Sequence, residues 1–154
     1  MKTKNDTTLI IAILIPIATG VLSAFFSGNM SLYSTLNKPA LSPPAILFPI
    51  VWIILYTLMG LSSCIIYESN STYKKKALQL YIIQLAVNFF WSILFFRFSL
   101  YLVAFLWLLG LIVLVGMMIY YFYLINKPAA YIQIPYLLWC VFAAYLNFMI
   151  FLKN

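Results

Sequence analysis

The chain contains no histidine and only two acidic residues, Asp6 and Glu68. Those two absences remove most active sites. A zinc centre of the usual kind, a His-ligated haem, a Ser-His-Asp triad and a paired-carboxylate site all need side chains that are missing here. No glycine-rich phosphate loop is present among the five glycines. Tyr or Cys could ligate iron in principle, but nothing singles one out, so no metal site and no required cofactor are expected. Cys64 and Cys140 lie in apolar surroundings, where free buried thiols are the ordinary reading, and they say nothing about redox compartment. Any chemistry must come from aromatic rings, amides, the backbone or the ligand itself.

Charge is scarce as well, at 7% of residues against 66% hydrophobic, with a mean hydropathy of +1.07. The charges act as punctuation. Between them run uncharged stretches 7–37, 39–67, 77–96, 98–126 and 128–152, of 31, 29, 20, 29 and 25 residues. A helix needs about 20 apolar residues to cross a hydrocarbon core about 30 Å thick, so each stretch holds one crossing and none comfortably holds two. Runs such as LIIAILIPIA and LWLLGLIVLVG lack the polar alternation of barrel strands. A soluble domain of this size could not hide so much apolar surface. The expected fold is therefore all-α: a single polytopic membrane domain over 1–154, a bundle of five transmembrane helices at about 8–26, 44–67, 77–96, 100–124 and 131–152. No internal repeat or second domain is visible. A proton- or ion-coupled transporter usually carries ionisable groups inside the membrane, and these spans have none.

The net charge of +7 needs no nucleic-acid partner, because the basic residues are dispersed over helix ends. With five spans, Lys2, Lys4, Lys74, Lys75, Lys76 and Lys127 fall on one side, and Lys38, Arg97 and Lys153 on the other. The excess of lysine predicts a cytoplasmic N-terminus, with loop 27–43 and the C-terminus outside. Lys2 and Lys4 before an apolar run, with Leu22-Ser23-Ala24 after it, also resemble a signal peptide and its cleavage site. Against that stands a small-residue stripe, Gly20, Ala24 and Gly28, which lets helices approach closely and argues for a retained, packed helix.

The stretch YSTLNKPALSPPAILFPIVWIILYTLMG, from Tyr33 to Gly60, joins a proline-pinned loop to an apolar helix carrying Trp52. Pro44 suits a first helical turn, and Pro43 holds the residue before it extended. Loop 27–43 is the one connection long enough for a role of its own. It reads either as a lid over a cavity or as an ordinary helix N-terminus with a loop attached. On the third span Tyr81, Gln84, Asn88, Trp91 and Phe95 share one face, and its amides predict that this face points into the bundle. The second span aligns Phe48, Trp52 and Tyr56. The fifth aligns Pro135, Trp139, Phe142, Ala143 and Leu146, with Asn147 beside them. Trp107 reads as core packing. For Trp52, Trp91 and Trp139 the favoured reading over core bulk is a shared aromatic cavity for a large, flat, mainly apolar ligand, with Gln84 and Asn88 orienting it.

The loop with its following span, the third-span block QLAVNFFWSILFF and the fifth-span block PYLLWCVFAAYLN together resemble the TspO/translocator protein family, also called tryptophan-rich sensory proteins or peripheral benzodiazepine receptors. The three blocks cover nearly the whole chain in the expected order. The resemblance implies a five-helix membrane protein with a pocket opening toward the first loop. Its expected ligands are porphyrins of the protoporphyrin IX type and benzodiazepine-like compounds, bound in a sensing or transport role. It further implies a bacterial cell membrane and allows a homodimer. Carried over by position, the pocket should include Tyr33, Pro43, Pro44, Trp52, Asn88, Trp91, Trp139, Phe142, Ala143 and Leu146; Phe48 and Gln84 join from the helix faces. Tyr33 stands where members often carry Trp. The animal cholesterol motif is not matched, since Tyr145 is followed by a basic residue only at Lys153; Val115, Tyr121 and Lys127 fit the spacing elsewhere, but so loose a pattern arises by chance in a Tyr-rich chain. A sterol or lipid carrier is thus a distant alternative. A nearer one is light- and oxygen-dependent breakdown of a bound porphyrin, with Trp52 and Trp139 as oxidisable, catalytic partners.

Overall fold

The computed structural model describes residues 5–154, which form a bundle of five membrane-spanning helices with no strand among them. Lys2 and Lys4, on which part of the predicted orientation rests, lie outside the described residues. Helix α1 (Asp6–Ser27) is capped by the Asn5 side chain, which accepts from the Thr7 N–H at 3.1 Å. It ends at Gly28, whose φ of 76° favours a residue without Cβ. A single turn, α2 (Leu32–Thr35), interrupts the long loop before α3 (Leu47–Tyr67). Helix α4 (Lys74–Ser92) runs into a π-helical turn over Ile93–Arg97. Then come α5 (Tyr101–Ile125), short α6 (Lys127–Ile132) and α7 (Ile134–Lys153), with α6 and α7 together making the last span.

Helix boundaries differ from the expected ones where proline decides them. The second span begins at Leu47, not at residue 44. Pro44 and Ala45 instead accept from Leu47 and Phe48 in a turn that winds into the helix. The last span starts earlier than residue 131: Asn126 caps α6 by accepting from the Ala129 N–H at 3.0 Å. Pro135 has no N–H to continue the ladder, so the chain breaks at Gln133 and restarts.

Outward faces are apolar, with Ile10, Leu14, Val21, Leu22 and Phe25 of α1 and Leu106 and Val113 of α5 exposed for contact with lipid. Trp107 departs from its expected place in the core. It is 38% exposed on α5, and its indole N–H reaches the Val87 carbonyl at 2.7 Å. Inside, helices are joined by a small number of polar bonds. Ser23 donates to Phe89 O at 2.7 Å, and Ser62 donates to Ala129 O at 2.6 Å. Such bonds hold helices together where hydrophobicity gives no preference between lipid and protein.

Helix α1 packs along α3 and against α4, α5 packs on both α4 and α7, and α6 lies against α3 and α5. Two glycines set the α1–α3 distance. A Cβ at Gly60 would overlap the backbone of Ile13, and one at Gly20 would overlap the Tyr56 ring. A Cβ at Gly28 would meet no neighbour, so its part in the small-residue stripe is to end the helix.

Because a backbone neighbour cannot rotate away, Gly60→Ala is expected to cost about 1–3 kcal/mol, the usual penalty for overpacking. Gly110, whose Cβ position is open, provides the control. Thermal unfolding in one detergent should show a clear loss of Tm for Gly60→Ala and none for Gly110→Ala.

Candidate functional site

Helices α3 and α7 do not pack along each other, and between them, α4 and the first loop lies a partly open cavity of about 420 Å³. Each wall has a sequence origin. Helix α3 contributes Phe48, Pro49, Trp52 and Tyr56, which recur at the helical period along its inner face. Helix α4 and its π turn contribute Trp91, Ser92, Phe95 and Phe96. From α7 come Ala143, Leu146, Asn147 and Ile150, and the loop adds Met30, Ser31 and Tyr33. Ala24 closes the side toward α1.

The aromatic lining is itself stacked. Trp52 lies on Tyr56 with centroids 5.2 Å apart and meets Tyr136 edge-on at 6.3 Å. Trp91 packs on Phe95 at 5.8 Å. Tyr33 meets Phe48 edge-on at 5.0 Å, and Phe48 meets Trp139 in the same way at 5.8 Å. Edge-on and offset geometries are the favourable ones for ring quadrupoles.

Polar groups around the cavity are engaged with one another. The Trp91 indole donates to Asn147 Oδ1 at 3.1 Å, and Asn147 Nδ2 donates to the Tyr101 carbonyl at 2.7 Å, so one relay joins α4, α7 and α5. Asn88 Nδ2 donates to the Tyr56 hydroxyl at 3.2 Å, and Tyr136 donates to Gln84 Oε1 at 2.7 Å. Gln84 Nε2 and Gln133 Oε1 have no protein partner. A buried amide left unpaired costs more than the net gain of about 1 kcal/mol from a pair, so these side chains are held to their partners chiefly by the penalty for separating them.

Of the residues singled out in the sequence, the fold brings Tyr33, Phe48, Trp52, Trp91, Ala143 and Leu146 to the cavity wall. Six others lie elsewhere. Asn88 and Gln84 are buried one and two turns below Trp91, where their amides tie α4 to α3 and α7 and do not face the cavity. Trp139 stands behind Phe48, and Phe142 packs on Trp139 at 5.6 Å, because the α7 face that meets the cavity is centred on Ala143, Leu146 and Asn147. Pro43 and Pro44 lie in the turn outside the cavity, and Pro43 contributes its carbonyl, which accepts from the Tyr33 hydroxyl at 3.2 Å. Burial raises the Tyr33 phenol above its ordinary pKa, opposed in smaller measure by the Ser42 hydroxyl, so it remains a neutral donor at physiological pH.

The sequence reading did not single out Met30, Ser31, Ala45, Ser92 or Phe96. The loop residues carry no periodic signal, and Ser92 and Phe96 reach the cavity on the flank of the face that Trp91 defines. It also missed how the loop is fastened. Asn37 N–H donates to Asn154 Oδ1 at 3.1 Å, and Asn154 Nδ2 donates to Asn37 O at 2.9 Å, a reciprocal pair joining the loop to the end of α7. Lys38 Nζ donates to Tyr33 O at 2.7 Å and sits 4.7 Å from the Tyr33 ring centroid.

Comparison with known proteins agrees with this architecture. The family model described as the TspO/MBR family matches residues 12–152. A tryptophan-rich protein TspO of Archaeoglobus fulgidus is 34% identical, over 97% of this chain and 99% of its own length. Another from Chlorobaculum tepidum is 33% identical over 98% of each. The translocator protein of Bos taurus is 32% identical over 92% of this chain and 86% of its own. A match of that extent to family model and relatives alike, on a five-span bundle, places this integral membrane chain in the TspO/MBR family.

Proposed function

We propose that this protein binds porphyrins of the protoporphyrin IX type and benzodiazepine-like compounds within the membrane, and that binding serves sensing or transport in tetrapyrrole regulation. The observation that carries the reading is the cavity of about 420 Å³ lined by Tyr33, Phe48, Trp52, Tyr56, Trp91 and Phe95. A site that is aromatic on several sides and nearly free of unpaired polar atoms suits a flat apolar ligand and offers little to a hydrophilic one. The relatives' names, tryptophan-rich sensory protein and translocator protein, fit a sensing or carrying role. In this reading the protein sits in a bacterial cell membrane, with the Lys74–Lys76 end cytoplasmic and the cavity mouth on the far side, and a homodimer is compatible with it.

Titration of the purified protein with protoporphyrin IX, followed by quenching of tryptophan emission, tests the reading. Wild type should saturate. Trp52→Ala should weaken binding more than tenfold, the effect of removing about 2 kcal/mol at an aromatic anchor, whereas Trp52→Phe should cost no more than about 1 kcal/mol. Equal affinities for all three proteins would move the ligand out of this cavity.

A second reading, light- and oxygen-dependent breakdown of the bound porphyrin, draws on the position of Trp52, an oxidisable indole at the wall. Trp139 is one ring further away, behind Phe48. At matched occupancy in light, this reading expects Trp52→Phe to slow bleaching greatly and Trp139→Phe to slow it less. Bleaching at one rate in wild type and both variants would leave binding alone.

Loop closure has its own test. Asn154→Ala removes both bonds to Asn37 while leaving the cavity wall intact. If the loop acts as a lid, ligand dissociation measured by stopped flow should speed up several-fold, in line with the loss of about 1–2 kcal/mol of prior ordering. An unchanged off-rate would make the loop a connector.

A further inference from the structure

A ligand with polar ends finds few free partners inside this cavity. The Trp91 N–H is committed to Asn147 and the Asn147 amide to Tyr101; the Tyr56 hydroxyl accepts from Asn88, so the wall offers a ligand only neutral hydroxyl donors, at Tyr56 and Ser92. A carboxylate placed against such a wall would lose hydration worth several kcal/mol, with no charged donor to offset it. The rim is different. The chain's two acidic residues, Asp6 and Glu68, stand at the opposite end of the bundle, at the start of α1 and just past the end of α3. The mouth end carries Lys38, Arg97 and Lys153 and no acidic side chain.

Two of these cations stand next to wall residues without lining the cavity themselves. Arg97 ends the π turn directly after Phe95 and Phe96, both wall residues. Its Nη1 donates to the Phe26 carbonyl at 3.1 Å, which fixes the side chain beside the end of α1, and the residue is exposed. A guanidinium has five N–H donors in a planar fork, so this one bond leaves most of them available. Lys38 is held over the Tyr33 ring at the other part of the rim, with its ammonium 4.7 Å from the centroid.

We propose that Arg97 and Lys38, at separate parts of the mouth, form an anion-binding rim that selects ligands carrying a carboxylate at the edge of a flat apolar body. The inference rests on the reading of the cavity as a site for such bodies, and adds the orientation: rings inward, carboxylate at the mouth. Charge-assisted bonds from a guanidinium are about twice as strong as neutral ones, and near the membrane surface they are not opposed by deep burial. Lipid phosphate presents similar chemistry to the same cations, so the test separates the two anions.

The probes are protoporphyrin IX and its dimethyl ester, titrated against wild type, Arg97→Gln and Arg97→Lys in nanodiscs of zwitterionic lipid. Arg97→Gln should weaken the diacid on the order of tenfold and leave the ester within about twofold, while Arg97→Lys recovers part of the loss. Added salt should weaken the diacid with wild type more than with Arg97→Gln. Retained ester binding certifies the variant's fold. Equal weakening of diacid and ester would reduce Arg97 to its bond with Phe26, and no change in either would remove it from the ligand; both results overturn the proposal. So does a preference for the diacid that ignores residue 97 and shifts only when anionic lipid is added. If neither the diacid nor the ester binds wild type, the failure lies with the cavity reading and not with the rim.

Discussion

Inside a hydrocarbon slab a polar group without a partner in the protein is costly, and this chain has few such groups. Its buried amides and several hydroxyls join helices. The Trp91–Asn147–Tyr101 relay spans three helices, Asn88 joins α4 to Tyr56 of α3, and Gln84 joins α4 to Tyr136 of α7. The cavity follows from that economy. Where Asn88 and Gln84 meet their partners, the bundle is closed; above them, where α3 and α7 present rings, small residues and the Asn147 amide, it stays open.

The same constraint explains why the wall is aromatic. Leu and Ile pack no better against one another than against lipid tails, so they give weak reasons for helices to leave an interior space between them. Rings are stiff, have few rotamers and prefer edge-on or offset contacts, so a set of them can brace a space without filling it. Trp52 on Tyr56, Trp91 on Phe95 and the series Tyr33–Phe48–Trp139 are braces of this kind. Close approach at Gly20 and Gly60 holds α1 against α3, and Gly20 also fixes where the Tyr56 ring can lie, so packing on the outer side of α3 reaches the floor of the cavity.

The loop over the mouth obeys different physics, because it lies where water and lipid headgroups compete for hydrogen bonds. It is fastened at separate points: Asn37 to Asn154, Lys38 to the Tyr33 carbonyl, and the Tyr33 hydroxyl to Pro43. Each bond is individually modest, so the fastening can be undone without disturbing the bundle below. That difference in strength between a braced interior and a lightly tied cover suits a site that must take up and release a bulky molecule.

Five crossings, the all-α class and the inward faces of α3 and α4 could be read directly from the chain, because the length of an apolar run and its helical period are local properties that lipid enforces. Phe48, Trp52, Trp91, Ala143 and Leu146 were legible for the same reason, since they stand on faces that the period defines, whereas Tyr33 in the loop was reached only through the family resemblance. What the sequence could not determine was how far each face turns toward a neighbour. Rotation of α7 puts Ala143 and Asn147 at the cavity and leaves Trp139 and Phe142 behind Phe48. Asn88 and Gln84 lie deep enough in the bundle for their amides to bond Tyr56 and Tyr136, and Trp107 stands exposed on α5. The Asn37–Asn154 pair joins residues more than a hundred positions apart and has no local signature. Periodicity fixes which residues share a face, but only packing among five helices decides what that face meets.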